Sequence, residues 1–128
     1  MEIKEFIEKF ESASLPKEEW NHWGHLRLAL YYLYNEKTKH AAITKIRCGL
    51  IRYAVLTNPD YNCSERYHET ITRFWIHKVS EFIRLNKNKT LYGLEELVKK
   101  SQLMNKEYIL KFYTQNQLDS PEYRAVFM

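Results

Sequence analysis

Apolar positions recur along most of this chain with the spacing of a helix face. Ile3, Phe6, Ile7 and Phe10 follow i, i+3, i+4, i+7, and Glu2, Lys4, Glu5, Glu8 and Lys9 fill the opposite face. The run from Ser12 to Pro16 ends that first helix, because proline biases its preceding residue away from helix. Pro16 can open the next helical turn, with Glu18 and Glu19 at its positive end, and this second helix runs to about Asn35. From Leu26 to Leu33 it is apolar or aromatic almost all round, which predicts a central helix buried on several sides.

A third helix is predicted from about Lys39 to Leu56, with Ala42, Ile46, Gly49, Leu50 and Tyr53 on one face. Asn58-Pro59-Asp60 reads as a turn. A fourth helix begins near Glu65 to His68 and ends near Leu85, its inward stripe being His68, Thr72, Trp75, Val79 and Phe82. Thr90 can cap a fifth carrying Leu94, Leu97 and Val98. Asn105 can cap a short sixth carrying Tyr108, Ile109 and Phe112, and Ser120-Pro121-Glu122 starts a last helical turn. No repeat, low-complexity tract or useful strand alternation is present. The expected fold is all-α, a compact bundle of five to six helices in a single domain over residues 1–128.

Composition supports this. Three Gly and three Pro are few turn formers for a chain of 128 residues, which favours long helices over many strands. Ten Tyr, six Phe and three Trp are enough to line a pocket or an interface as well as a core. The net charge of +4 is mild, and the basic residues are interleaved with Glu rather than clustered, so no nucleic-acid partner is expected. The chain is charged from Met1-Glu2 onward and has no apolar run of membrane-spanning length, so neither a signal sequence nor a membrane partner is expected. Two cysteines, Cys48 and Cys63, are expected to stay free in a reducing cytoplasm, with Cys48 in the core. His40 and His77 sit on polar helix faces and are expected to be solvated.

Two strings carry the candidate chemistry. In Trp20-x-His22-x-x-His25-Leu26, the histidines lie one turn apart just where the helix becomes apolar. Such a pair can help chelate a divalent metal if further ligands approach. The plainer alternative is a helix-start pair bonded to backbone or carboxylate. In Tyr67-His68-Glu69-Thr70-Ile71-Thr72-Arg73-Phe74-Trp75, His68 leads the apolar stripe and Glu69 stands in the first turn. The plainer alternative there is an i, i+4 pair between Glu69 and Arg73.

If the starts of the second and fourth helices lie side by side, these residues converge. His22, His25 and His68 are then candidate ligands for zinc or iron, with Glu69 as a fourth. Without metal, His68, Glu69 and His25 are candidate catalytic acid–base groups. Trp20, Tyr67, Thr72, Trp75 and Tyr32 are candidate ligand-binding residues around them.

The same two strings resemble those of a family of small, uncharacterised bacterial helical proteins. The resemblance extends to Phe10-Glu11 through Leu15-Pro16 and to Ser120-Pro121-Glu122-x-Arg124, and so touches most of the chain. Arg66 departs from the family pattern, where glycine is expected, and family chains tend to continue beyond the position of Met128. The resemblance implies no particular activity. The expected function is a small-molecule-binding helical domain, in one version a metal-dependent or His/Glu acid–base enzyme. The alternative is a non-catalytic protein-interaction domain in which the His/Glu cluster only fixes helix packing.

Overall fold

The computed structural model describes residues 1–128. It is all-α. Five helices of nine residues or more carry the architecture: α1 (Ile3–Glu11), α2 (His22–Asn35), α3 (Lys39–Thr57), α5 (Glu69–Leu85) and α6 (Leu91–Lys99). Three short ones, α4 (Cys63–Arg66), α7 (Gln115–Asp119) and α8 (Pro121–Ala125), bring the α-helices to eight, more than the five to six expected. The segment expected as a sixth α-helix forms 3-10 turns over Lys106–Lys111.

The apolar helix α2 is central, as its sequence predicts. It packs against α1, α3, α5 and α6. One cluster of eighteen buried residues draws on all five long helices, with Phe6, Leu26, Leu30 and Val79 wholly buried. Burying each such side chain contributes roughly 1.5–3 kcal/mol. A smaller cluster of Phe74, Ile109 and Leu118 lies under the 3-10 segment and α7.

Two helix starts differ from expectation, and both differences shape the site. Pro16 opens only a 3-10 turn, Lys17–Glu19. Trp20 then leaves helical geometry, and the Asn21 side chain caps α2 by accepting from the Gly24 N–H at 2.9 Å. His22 is therefore the first residue of α2. Gly24 is required by close approach: a Cβ there would stand 2.5 Å from the Glu19 carbonyl oxygen. The helix expected to begin near Glu65 to His68 is split. Tyr67 and His68 are extended between α4 and α5, and the His68 side chain caps α5.

The C-terminal residues return onto α5. The Thr70 hydroxyl, fully buried, donates to the Val126 carbonyl at 2.9 Å and accepts from the Met128 N–H at 3.0 Å. Cys48 and Cys63 are both free and both exposed, so Cys48 is not the core residue expected of it. Its exposure follows from α3 burying Ala42, Ile43, Ile46 and Tyr53 on another face. No helix is long and apolar enough to cross a membrane.

Candidate functional site

The starts of α2 and α5 do meet, and a cavity of about 500 Å³ opens between them. Its walls are mainly apolar: Leu28 and Ala29 of α2, Ile46 and Leu50 of α3, Ile71 and Ile76 of α5. The 3-10 segment and Leu118 close the far side. A few polar groups punctuate this lining, among them Asn21, His22, His25 and Thr72, with Lys106 and Glu107 opposite. An apolar body with a few placed polar groups is a lining common among small-molecule sites.

His25 is the most chemically able of these groups. Its Nδ1 lies 2.8 Å from the carbonyl of Asn21 one turn earlier. A carbonyl only accepts, so Nδ1 carries the proton, and Nε2 has no protein partner. The Trp20 indole lies against the ring at 4.1 Å between centroids and fixes its plane. His25 is exposed as a residue where it lines the cavity, and Trp20 covers one face of its ring. Burial lowers its pKa below the usual histidine value. The bond to Asn21 works against this, and the nearby His22 adds to the lowering. At neutral pH, His25 is therefore an unprotonated imidazole with an unspent lone pair.

His22 uses its Nε2–H differently, donating to the Leu103 carbonyl at 2.7 Å. Its ring meets the edge of Trp75 at 4.7 Å. Its Nδ1 has no protein partner. Both histidines are thus anchored by one nitrogen to a backbone carbonyl, which is the plainer alternative for this pair, and each keeps a second nitrogen free.

His68 and Glu69 do not join them. His68 is spent on both nitrogens: Nδ1 accepts from the Ile71 N–H at 3.1 Å, and Nε2–H donates to the Leu118 carbonyl at 2.6 Å. Neither nitrogen is left for a metal or a substrate proton. Glu69 turns away from the cavity into a cluster of cations. Arg47 donates to both of its oxygens, at 3.1 and 2.5 Å, and the Tyr67 hydroxyl donates at 2.8 Å. Arg73 stands 3.5 Å away, so the i, i+4 pair exists but is the weaker contact. Burial by itself would raise the Glu69 pKa; the bonds from Arg47 and Tyr67 and the charges of Arg47 and Arg73 reverse that and hold it below the usual carboxylate range. A carboxylate so held is a poor base.

The zinc or iron set expected of His22, His25 and His68 is therefore not assembled. No three His, Cys, Asp or Glu side chains converge in a way that could hold a metal ion. The physical reason is local: a histidine at an N-cap is the nearest acceptor for its own helix's N–H groups, and it takes one.

Of the expected ligand-binding residues, Thr72 and Trp75 line the cavity. Trp20 backs His25 from behind and stacks on Phe10 at 5.1 Å. Tyr67 belongs to the Glu69 cluster, and burial pushes its hydroxyl up to about 12. Tyr32 lies elsewhere, buried with its hydroxyl donating to Glu11 at 2.8 Å. His77 is not simply solvated: it is half-buried, bonded to Lys39 and stacked on Phe127.

Sequence reasoning passed over Asn21, Arg47 and the buried pair of Arg27 and Glu95, 2.9 Å apart. Asn21 had a signal, being a good cap placed before an apolar helix. The partners of Arg47 and Arg27 come from distant helices and leave no local trace. Comparison of the chain with protein-family models, curated proteins and solved structures found no match to any of them.

Proposed function

We propose that this protein binds a small molecule with an apolar body and a hydrogen-bond donor in the cavity between the starts of α2 and α5. The observation that carries this reading is His25: a neutral imidazole on the wall of an apolar cavity of about 500 Å³, oriented by Asn21, with Nε2 free to accept. In the enzyme version of the reading, His25 is the general base and His22, one turn earlier, the second polar contact. Metal chemistry and a His–Glu couple form no part of it, because His68 and Glu69 serve packing. The chain acts as one domain, since the cavity walls come from helices that share one core. The two free cysteines fit a reducing cytoplasm. The motifs around His22 and His68 support a kinship with the bacterial family they resemble.

The test uses 2-naphthol as probe and naphthalene as its donor-free control, with the His25 ring nitrogens followed by NMR. Saturable binding of 2-naphthol that moves the Nε2 signal, is weaker for naphthalene and is lost in His25→Phe supports the reading. Binding that ignores both the hydroxyl and His25 would remove it.

A second reading, a non-catalytic interaction domain, is favoured by one observation: His68 and Glu69 are wholly engaged in holding helices together. Phe112, 49% exposed and outside the cavity lining, would then belong to a partner surface. Alanine at Phe112, which does not line the cavity, leaves naphthol binding intact under either reading and abolishes partner binding only under this one.

A further inference from the structure

Beyond the cavity, α5 carries a second cluster in which several donor groups lack a protein acceptor. Arg73 and His77 lie four residues apart on one face of α5, and neither lines the cavity. Lys39, the first residue of α3, reaches them from the side, its Nζ donating to His77 Nδ1 at 2.5 Å. That bond leaves the His77 proton on Nε2, where no protein acceptor meets it. Arg73 makes no hydrogen bond within the chain. Its Nη1 stands 3.5 Å from Glu69, whose oxygens are already taken by Arg47 and Tyr67. Its Nε is buried without a partner. The Phe127 ring closes one side, 5.2 Å from the Arg73 guanidinium carbon and stacked at 5.2 Å on His77. Lys39 is exposed.

The charges do not balance. Arg47 and Arg73 share a single carboxylate, Glu69, and Lys39 has no ion-pair partner, so two positive charges are uncompensated. Burial, and then the charge of Arg73, hold the Lys39 pKa below its ordinary value, and His77 is lowered by burial and by both neighbours. The N-terminal end of the 19-residue helix α3 adds its own positive potential. The guanidinium N–H groups, the two ammonium hydrogens not given to His77 and the His77 Nε2–H match an oxyanion.

We propose that Lys39, Arg73 and His77 form an anion site for the phosphoryl group of a small phosphate ester. Its oxygens accept from the Arg73 Nη groups, from Lys39 Nζ and from His77 Nε2–H, and its two charges match the uncompensated pair. This inference does not depend on the cavity reading, as the two sites share no residue.

The test follows the His77 ring signal in the full chain by NMR. Glycerol phosphate, inorganic phosphate and chloride are titrated at constant ionic strength. A saturable shift with either phosphate and none with chloride is the expected result. Tighter binding of the ester identifies esters as the ligand, and equal binding identifies the free ion. Lys39→Gln and Arg73→Gln should each weaken binding about tenfold or more, about 1.4 kcal/mol. Lys39 is exposed, so its variant keeps the test sound even if Arg73→Gln perturbs packing. A shift reproduced by chloride, or wild-type affinity in Lys39→Gln, would overturn the proposal.

Discussion

One imidazole joins two parts of the molecule: His68 donates from Nε2 to the Leu118 carbonyl at 2.6 Å while its Nδ1 accepts from Ile71 at 3.1 Å. The ring is at once the cap of α5 and the tie to α7. His68→Ala should lose the cap and strand the Leu118 carbonyl, costing about 1–3 kcal/mol. His68→Asn, which can still cap, should recover about half. Urea denaturation measures both. An unaltered midpoint in His68→Ala would mean that the ring ties nothing together.

Arg27 and Glu95 form another long-range tie, with side chains 7% and 9% exposed. Arg27 also donates to the Met1 carbonyl at 2.6 Å and lies over the Phe6 ring. Removing one partner leaves a buried charge, so Glu95→Leu should cost about 3–5 kcal/mol. The double variant Arg27→Met with Glu95→Leu should recover most of that loss. A double-mutant cycle in urea decides: additive losses would show that the pair is not coupled.

Acid should weaken the fold in two stages. The His25 and His77 pKa values are lowered on folding, so the unfolded chain binds protons more readily. Stability is full above about pH 6.5 and falls as pH drops below it toward the folded values. The Glu69 pKa is also lowered, which contributes stability above about pH 4.3 and loses it as pH falls through the folded value. Melting temperature measured from pH 8 to pH 3 should show both declines. His25→Phe should shrink the first, and Glu69→Gln the second. A melting temperature that rises on acidification from pH 7 would contradict the histidine assignment.

Two backbone positions predict opposite signs. Ala13 follows the end of α1 with φ 56°, a left-handed conformation that costs a residue with a Cβ roughly 1–2 kcal/mol. Ala13→Gly should therefore stabilise by about 0.5–1 kcal/mol. Gly24→Ala gains helix propensity yet drives a methyl into the Glu19 carbonyl, and should destabilise by about 1–3 kcal/mol. Denaturation of the two variants side by side checks both signs.

The sequence by itself determined that the protein is helical, that α2 is its centre, and that the starts of two helices deserve attention. These follow from local periodicity and composition, which the backbone obeys wherever apolar faces can be buried together. His22, His25, Thr72 and Trp75 were legible as a group because helical spacing alone puts each near a helix start and an apolar face. The tertiary structure decided what the ionisable groups do. Whether His68 offers a lone pair or spends it on Ile71 and Leu118 depends on a chain segment fifty positions away. Whether Glu69 is a base or a counter-ion depends on Arg47 of a different helix, not on its neighbour Arg73. Long-range hydrogen bonds and ion pairs leave no period in a sequence, because any donor brought near any acceptor can make them.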